Sequence, residues 1–446
     1  MSYKVAMVSL GCPKNQVDAE QMLYTLKCAG FTLVPHEADA DVIVINTCGF
    51  IEDAKQEAIE NILEASRYKS EGKLKLLVVT GCLAERYRDD ITEEIPEVDM
   101  VVGIGSNGKI AELIKSALDG DVKNSYGEKF SLNLDAKRIL GGAPYTAYIK
   151  IADGCDNCCT YCAIPQIRGR FRSRKIENIL EEVKELAAQG VTEIVVTAQD
   201  TTAYGIDLYG EYALPRLLRE LCKVEGIHWI RTLYTYPDKI NDELLFALRD
   251  EPKLCKYLDI PIQHCNDRIL KKMNRKGSKA ELERTLAHIR EVLPDVTLRT
   301  TLITGFPGET EEEFCELAEF VKKWRFDRLG CFAYSAEEDT PAALFPDQID
   351  PQVKLDRSEN IMNEQMTIAA QKNAEKVGTV TEVLIEGYDN FIRCYFGRSP
   401  ADAPEIDGKI FFITDSPKVI GEYVKVQIND SIEYDLLGEE VYESAE

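Results

Sequence analysis

The stretch Gly154-Cys155-Asp156-Asn157-Cys158-Cys159-Thr160-Tyr161-Cys162 sets three cysteines, Cys155, Cys159 and Cys162, at C-x3-C-x2-C spacing. The apolar run just before it, residues 147–152, reads as a strand, so the cysteines lie on a loop leaving a strand's carboxyl end. Three thiolates can hold three irons of a [4Fe–4S] cube and leave the fourth iron open to bind a substrate. An electron-transfer ferredoxin would normally offer a fourth cysteine. Structural zinc also requires a closed set of four ligands, and neither a second cysteine pair nor a histidine lies nearby. Cys158 is an extra thiol inside the loop, expected to point away.

Around this loop, from residue 144 to 345, short apolar runs alternate with helical periodicity. Strands are expected at 147–152, 193–197, 229–234, 257–261, 297–303 and 328–334. Helices are expected at 176–189, 214–224, 242–249, 279–292 and 311–325. Six βα units fall short of the eight that close a barrel, which predicts a partial (β/α) barrel with its chemistry at the carboxyl ends of the strands. Upstream, strands at 5–10, 42–46, 76–80 and 100–102 alternate with helices at 19–29, 51–67 and 110–118, an open α/β sheet with helices on its faces. Residues 121–142 are polar and aperiodic, the mark of a linker, and 355–376 read as a long polar helix. Beyond 377, turn signals (Glu386-Gly387, Asp389-Asn390, Ile406-Asp407-Gly408) separate short strands, as in a small antiparallel β-barrel. The fold class is therefore α/β, with units at 1–120, 143–376 and 377–443 and a linker over 121–142.

A chain of 446 residues has room for two to four domains with ample core. Its 45% hydrophobic and 29% charged residues describe a globular protein rather than a disordered one. The net charge of −24 excludes a general coater of nucleic acid, which needs a basic field, while leaving room for a local basic groove. No apolar run approaches the length of a membrane helix, and the chain enters a strand-like stretch at once, without the layout of a signal peptide; a cytoplasmic address is expected. Fourteen cysteines are too few for a disulfide scaffold of this length and suggest metal or redox chemistry in a reducing compartment. With only four histidines (His36, His228, His264, His288), no multi-histidine metal site is expected.

A second set of cysteines is less obvious. Cys12, Cys48 and Cys82 each follow an expected strand, in Ser9-Leu10-Gly11-Cys12, Asn46-Thr47-Cys48-Gly49 and Thr80-Gly81-Cys82. Their spacing matches successive βα units, so all three should emerge at the carboxyl edge of one sheet, where α/β ligands gather. Spacing alone leaves two readings open, a second three-thiolate cluster and ordinary burial of free cysteine. Cys28, Cys222, Cys255, Cys265, Cys315, Cys331 and Cys394 sit mostly in helix or strand patterns, where burial is the default.

The loop from Cys155 to Cys162 resembles that of the radical S-adenosylmethionine (SAM) superfamily, in which the open iron chelates the amino and carboxylate groups of SAM and one electron cleaves its C–S bond. That resemblance implies a role near the adenine for Tyr161 and polar contacts to the SAM amino group from Gln199 and Asp200. It also implies a cofactor-approaching loop at Gly305, Gly308 and Glu309, within Thr301-Leu302-Ile303-Thr304-Gly305-Phe306-Pro307-Gly308-Glu309-Thr310. Two three-cysteine sites, six βα units and a C-terminal β-barrel together resemble the methylthiotransferases over essentially the whole chain. The architecture implied is an N-terminal methylthiotransferase domain, a radical SAM core and a TRAM barrel, carrying two [4Fe–4S] clusters on Cys12, Cys48, Cys82 and on Cys155, Cys159, Cys162. The implied enzyme uses one SAM as methyl donor and a second as radical source.

From residue 377 onward, five basic residues face fifteen acidic ones, a net charge of −10 that repels RNA and suits a basic protein. The phrases Ser9-Leu10-Gly11-Cys12-Pro13-Lys14-Asn15, Ala198-Gln199-Asp200-Thr201-Thr202-Ala203-Tyr204-Gly205 and Ala401-Asp402-Ala403-Pro404-Glu405-Ile406-Asp407-Gly408 are similar to one branch of the family. That branch methylthiolates the β-carbon of an aspartate in small-subunit ribosomal protein S-twelve. The implied partners are that basic protein and a reducing donor such as a flavodoxin or ferredoxin, with no membrane and no bulk nucleic acid. Asp339 departs from the family, which usually has glycine there, and puts the local turn in question. The run Arg168-Gly169-Arg170-Phe171-Arg172-Ser173-Arg174-Lys175 is either a solvated surface or an anion site for the substrate aspartate or the SAM carboxylate. Arg168 and Arg174 are the first choices for that catalytic role by family pattern, with Lys150, Arg231 and Arg299 as rivals. The alternatives are a tRNA methylthiotransferase acting on a modified adenosine near the anticodon and a non-catalytic iron–sulfur protein that binds ribosomes.

Overall fold

The computed structural model describes residues 2–70 and 72–442. The last residue expected in the C-terminal unit, 443, lies outside them. The first unit is a parallel sheet of strands β1 (Lys4–Ser9), β2 (Thr32–Leu33), β3 (Val42–Thr47), β4 (Leu76–Gly81) and β5 (Met100–Val102), in the order β2-β1-β3-β4-β5. The β-branched runs of β3 and β4 are buried throughout because helices cover both faces. Alternation sorts their side chains. Val42, Val44, Leu76 and Val78 face the helices Pro13–Cys28 and Ile110–Leu118, while Ile43, Ile45, Leu77 and Val79 face the helix Glu52–Ser70.

The helix Pro13–Cys28 starts well before the expected 19–29. Proline opens it at its first turn. The apolar stripe that would reveal it is interrupted, because Lys14, Asn15, Asp18, Glu20 and Gln21 are buried against other parts of the chain. The expected linker is likewise no loose connection. Ser125 pairs with the edge of β5, Gln21 donates to the carbonyls of Leu134 and Ala136, and Arg138 bridges Glu20 and Glu182 at 2.7 and 2.8 Å. Its polar side chains fasten the sheet to the second unit.

That unit contains β6 (Thr146–Lys150), a short clip of β7 (Ala152–Asp153) and β8 (Arg172–Ser173), and then β9 (Glu193–Thr197), β10 (Trp229–Thr232), β11 (Tyr257–Asp259), β12 (Thr297–Thr304) and β13 (Arg328–Ala333). Two parallel half-sheets, β10-β9-β6 and β11-β12-β13, are stitched by backbone bonds such as Thr235 N–H to the Asp259 carbonyl, giving a partial barrel of six main strands among the described residues. Helices Ile176–Ala188, Leu214–Cys222, Asp242–Asp250, Lys279–Val292 and Glu311–Trp324 pack outside it, and Pro351–Glu375 leads to the third unit. There β14 (Val380–Asp389), β15 (Cys394–Arg398), β16 (Ile410–Ile413), β17 (Tyr423–Ile432) and β18 (Asp435–Glu440) close into a barrel. It is antiparallel except that β16 pairs with β18 in parallel, a departure from the expected all-antiparallel pattern. Cys28 and Cys315 are exposed on outer helix faces rather than buried, whereas Cys222, Cys255, Cys265, Cys331 and Cys394 are buried. Among the described residues no helix is long and apolar enough to cross a membrane.

Candidate active site

β1, β3 and β4 are neighbours in the first sheet, and a cysteine leaves each one. Cys12 caps the helix Pro13–Cys28, Cys48 follows β3, and Cys82 opens the helix Cys82–Tyr87. Gly81, at φ +92°, brings the last of these in: a Cβ there would lie 2.4 Å from the Thr47 carbonyl oxygen. Burial pushes the Cys48 thiol up and the Cys82 thiol to about 12; Arg168 opposes the Cys82 shift, while the nearby Cys12 and Cys48 add to it. The three thiols therefore stand along one edge of the sheet.

The second triad sits in the loop that β7 and β8 clip shut. Gly154 has φ +82°, and a Cβ on it would meet the Arg170 carbonyl oxygen at 2.2 Å, so glycine alone lets the loop close. Cys155 and Cys159 are buried and Cys162 is half-buried. Burial raises the thiol of Cys155 to about 11 and that of Cys162 further. The Tyr236 hydroxyl lies 3.1 Å from Cys159 Sγ, and the Arg275 guanidinium stacks 4.1 Å from the Tyr236 ring centroid. Asn157 donates to Cys155 Sγ at 3.5 Å and to Asp200 at 2.7 Å, and Lys239 pairs with Asp200 at 2.8 Å. Cys158 is exposed, as expected of the extra thiol.

Between the triads lies a buried quartet. Arg168 donates to Asp18 Oδ2 and Asn15 Oδ1, both at 2.5 Å, approaches Asp153 at 3.5 Å and reaches Cys82 Sγ at 3.6 Å. Lys150 pairs with Asp18 and with Asp153. Burial works to raise the Asp153 carboxyl, but Lys150 and Arg168 outweigh it and hold it at about 2. Ala163, next to Cys162, packs with Cys82, Ile104 and Ile167 in one apolar cluster, so the two triads open onto a common junction.

The donor sets fit iron–sulfur clusters. Buried thiols whose pKa is raised keep their protons unless a cation displaces them, and soft sulfur donors suit iron. Among the described residues no three metal-binding side chains converge so as to hold a single ion; a cube takes one thiol at each of three corners, so its ligands need not converge. Gln199 donates to Asp153 at 3.0 Å, and its Oε1 is buried without a partner, an acceptor that an ammonium group would satisfy.

Several expected residues are otherwise engaged. Arg168 is bound by Asp18, and Arg174 by Asp135 and Glu182, each at 2.6 Å, so neither guanidinium is open to a substrate carboxylate. The basic run is an internal clamp, not an anion site. Arg170 and Lys175 are its exposed members, and Arg170 pairs with Asp156. Of the rivals, Lys150 belongs to the quartet, Arg299 pairs with Asp259, and Arg231 donates to the carbonyls of Ser399 and Pro400. Gly305 and Gly308 allow close approach, and a Cβ on them would meet Lys354 and Lys272 of this chain. Glu309 accepts from the Gly305 amide and pairs with Arg357 at 2.8 Å, which makes it a loop brace. Tyr161 packs against an apolar cluster around Phe306 and Met273, close to Cys159. Asp339 takes φ +60°, the conformation glycine would adopt, so the turn survives the substitution. Sequence reading missed Asn15, Asp18, Tyr236, Lys239 and Arg275. The only signal for the first two was the polar Asn15-x-x-Asp18 spacing directly after a cysteine.

Fold and triads together define a radical SAM methylthiotransferase. Residues 149–321 match the radical SAM superfamily, residues 4–103 match a family described as uncharacterized protein family UPF0004, and residues 377–441 match the TRAM domain. The chain is 48% identical to the ribosomal protein uS12 methylthiotransferase RimO of Desulforamulus reducens over 98% of this chain and 99% of that one. It is also 48% identical to the RimO of Clostridioides difficile, over 99% of this chain and 100% of that one. The radical SAM methyltransferase TsrM of Kitasatospora setae shares the fold at 15% identity, with a TM-score of 0.58 and 77% of each chain covered. The chain belongs to the RimO family of methylthiotransferases, enzymes that use SAM and [4Fe–4S] clusters.

Proposed function

We propose that the protein transfers a methylthio group to the β-carbon of an aspartate in ribosomal protein uS12, in the cytoplasm, with electrons from a donor of the flavodoxin or ferredoxin type. Cys155, Cys159 and Cys162 would hold the SAM-binding cluster, and Cys12, Cys48 and Cys82 the cluster that holds the sulfur. When bound, these groups supply hydrogen abstraction from an unactivated C–H bond and a methylated sulfur to replace that hydrogen. The chain itself does the positioning. The clip of β7 and β8 fixes the SAM-side triad, Gly81 brings Cys82 to the sheet edge, and Arg168 ties one triad to the other through Cys82, Asn15 and Asp18. Gln199 offers its orphaned Oε1 to the SAM ammonium, and Tyr161 and Tyr236 line Cys159.

The observation that carries this reading is the shared boundary: Cys82 of one triad packs against Ala163, next to Cys162 of the other, and meets Arg168, which sets both triads on one seam between sheet and barrel. The protein substrate is supported by the activity of the RimO relatives and by the acidic C-terminal barrel. The test is mass spectrometry of uS12 and of tRNA after anaerobic reaction with SAM and a reductant. A methylthio increment on the uS12 aspartate is expected; an increment on tRNA alone would overturn the reading.

A further inference from the structure

Lys14 is a buried cation on the sheet side of the junction. It is only 7% exposed, and its Nζ sits 3.4 Å from the ring centroid of Tyr234. The other buried cations there have carboxylate partners among the described residues: Lys150 and Arg168 in Asp18 and Asp153, Arg174 in Asp135 and Glu182, Lys239 in Asp200. Arg275 has none, but it lies against Tyr236 and donates to the Pro261 carbonyl, on the barrel side beside Cys159. Lys14 has no carboxylate within ion-pair distance among the described residues; its ammonium is met by the Tyr234 side chain and by the nearby Cys12.

Its position is specific. Lys14 stands two residues past Cys12 on the sheet side, and Tyr234 stands two residues past the end of β10 on the barrel side. Tyr234 also carries φ +61°, an uncommon conformation for a bulky residue. Strain of this kind is held in place by its surroundings and clusters where a ligand is met. An ammonium kept out of water beside the Tyr234 side chain and Cys12, with no carboxylate on it, still has room for an anionic partner, since a cation–π contact is worth far less than a charge-assisted ion pair.

We infer that Lys14 recognises the side-chain carboxylate of the substrate aspartate and so places the β-carbon between the two triads; this rests on the function proposed above. The carboxyl carbon is bonded directly to the β-carbon. A fixed positive charge that grips the carboxylate oxygens therefore holds the reacting carbon two bonds away, and the Tyr234 ring restricts the lysine's own freedom.

The test uses the full-length enzyme, reconstituted anaerobically, with a uS12 peptide containing the target aspartate and a second peptide with asparagine in its place. The parent enzyme should bind the aspartate peptide tighter by roughly tenfold or more, the scale of a charge-assisted contact in a buried site. Lys14→Met and Lys14→Gln should lose that discrimination and raise KM for the aspartate peptide with full iron content retained, while Lys14→Arg keeps part of the preference. Three outcomes overturn the inference alone: both neutral variants still discriminate, they lose iron (the ammonium then serves the Cys12 triad), or the KM that rises is that of SAM. If the parent binds but never modifies the aspartate peptide, the substrate reading falls and takes this inference with it.

Discussion

Replacing Arg168 with methionine tests the architecture of the junction most directly. Arg168, Lys150, Asp18 and Asp153 form a buried set of two cations and two anions, each at most 4% exposed. Arg168→Met keeps most of the side-chain volume but leaves two carboxylates facing one ammonium. Breaking a buried pair in this way costs about 3–5 kcal/mol, because an uncompensated charge remains. Adding Asp18→Asn restores neutrality, with Lys150 still against Asp153 at 3.6 Å, and should return about half of that loss. Urea unfolding of the three proteins measures the stability. Iron content measures the consequence for the Cys12 triad, since Arg168 touches Cys82. The reasoning fails if the single variant lies within about 1 kcal/mol of the parent, or if the double variant is no more stable than the single one.

Replacing Cys12, Cys48 and Cys82 together with alanine should leave about half of roughly eight irons per chain and permit SAM cleavage without methylthio transfer; Cys158→Ala, at an exposed thiol, should keep the full iron count. Gly154→Ala should abolish the SAM-side cluster, because its Cβ would fall 2.2 Å from the Arg170 carbonyl oxygen; intact SAM cleavage in that variant would contradict the loop geometry. Burial works to raise the Glu193 carboxyl, but Arg398, paired with it at 2.6 Å, outweighs burial and lowers it from the ordinary 4.5. The pair's stabilisation is thus fully present above that ordinary value and is lost as pH falls through the lowered one. Thermal unfolding across the acid range should show that loss in the parent, and Glu193→Gln should flatten it while lowering stability at neutral pH.

What the sequence revealed and what it hid follow from one physical distinction. Short-range patterns were legible. The β-branched run of β3 is buried on both faces, the strand-then-cysteine repeat sets all three thiols at one sheet edge, and the apolar period of Lys279–Val292 marks a helix between the very residues expected. Features that depend on distant partners were not. Asp18 and Glu20 look like ordinary helix-surface charges until Lys150 and Arg138 arrive from more than a hundred residues away. The basic run from Arg168 to Lys175 reads as a solvated patch or an anion site for the same reason: its carboxylates lie at Asp18, Asp135 and Glu182.

The phrase Ala401–Gly408 shows how such a distinction changes a functional argument. Its residues are similar to those of the ribosomal-protein branch, yet the structure buries much of the segment at the strand-start end of the partial barrel. Asp402 pairs with Arg328 at 2.6 Å, Asp407 accepts from the Tyr257 hydroxyl at 2.6 Å, and Ala403 is fully enclosed. With Arg398 on Glu193, the segment corks the end of the barrel opposite the cysteine loop. The phrase therefore tells how the third unit is fixed, not how substrate is met. Any attraction for a basic partner must come from the carboxylates that remain outside, and Glu405, Asp415, Glu422, Asp430, Glu433 and Glu439 are exposed on that unit. Their summed field falls off within a Debye length of about 8 Å at physiological salt. It can thus speed the encounter with a basic protein, while the choice of the reacting residue is left to the buried junction where the two triads meet.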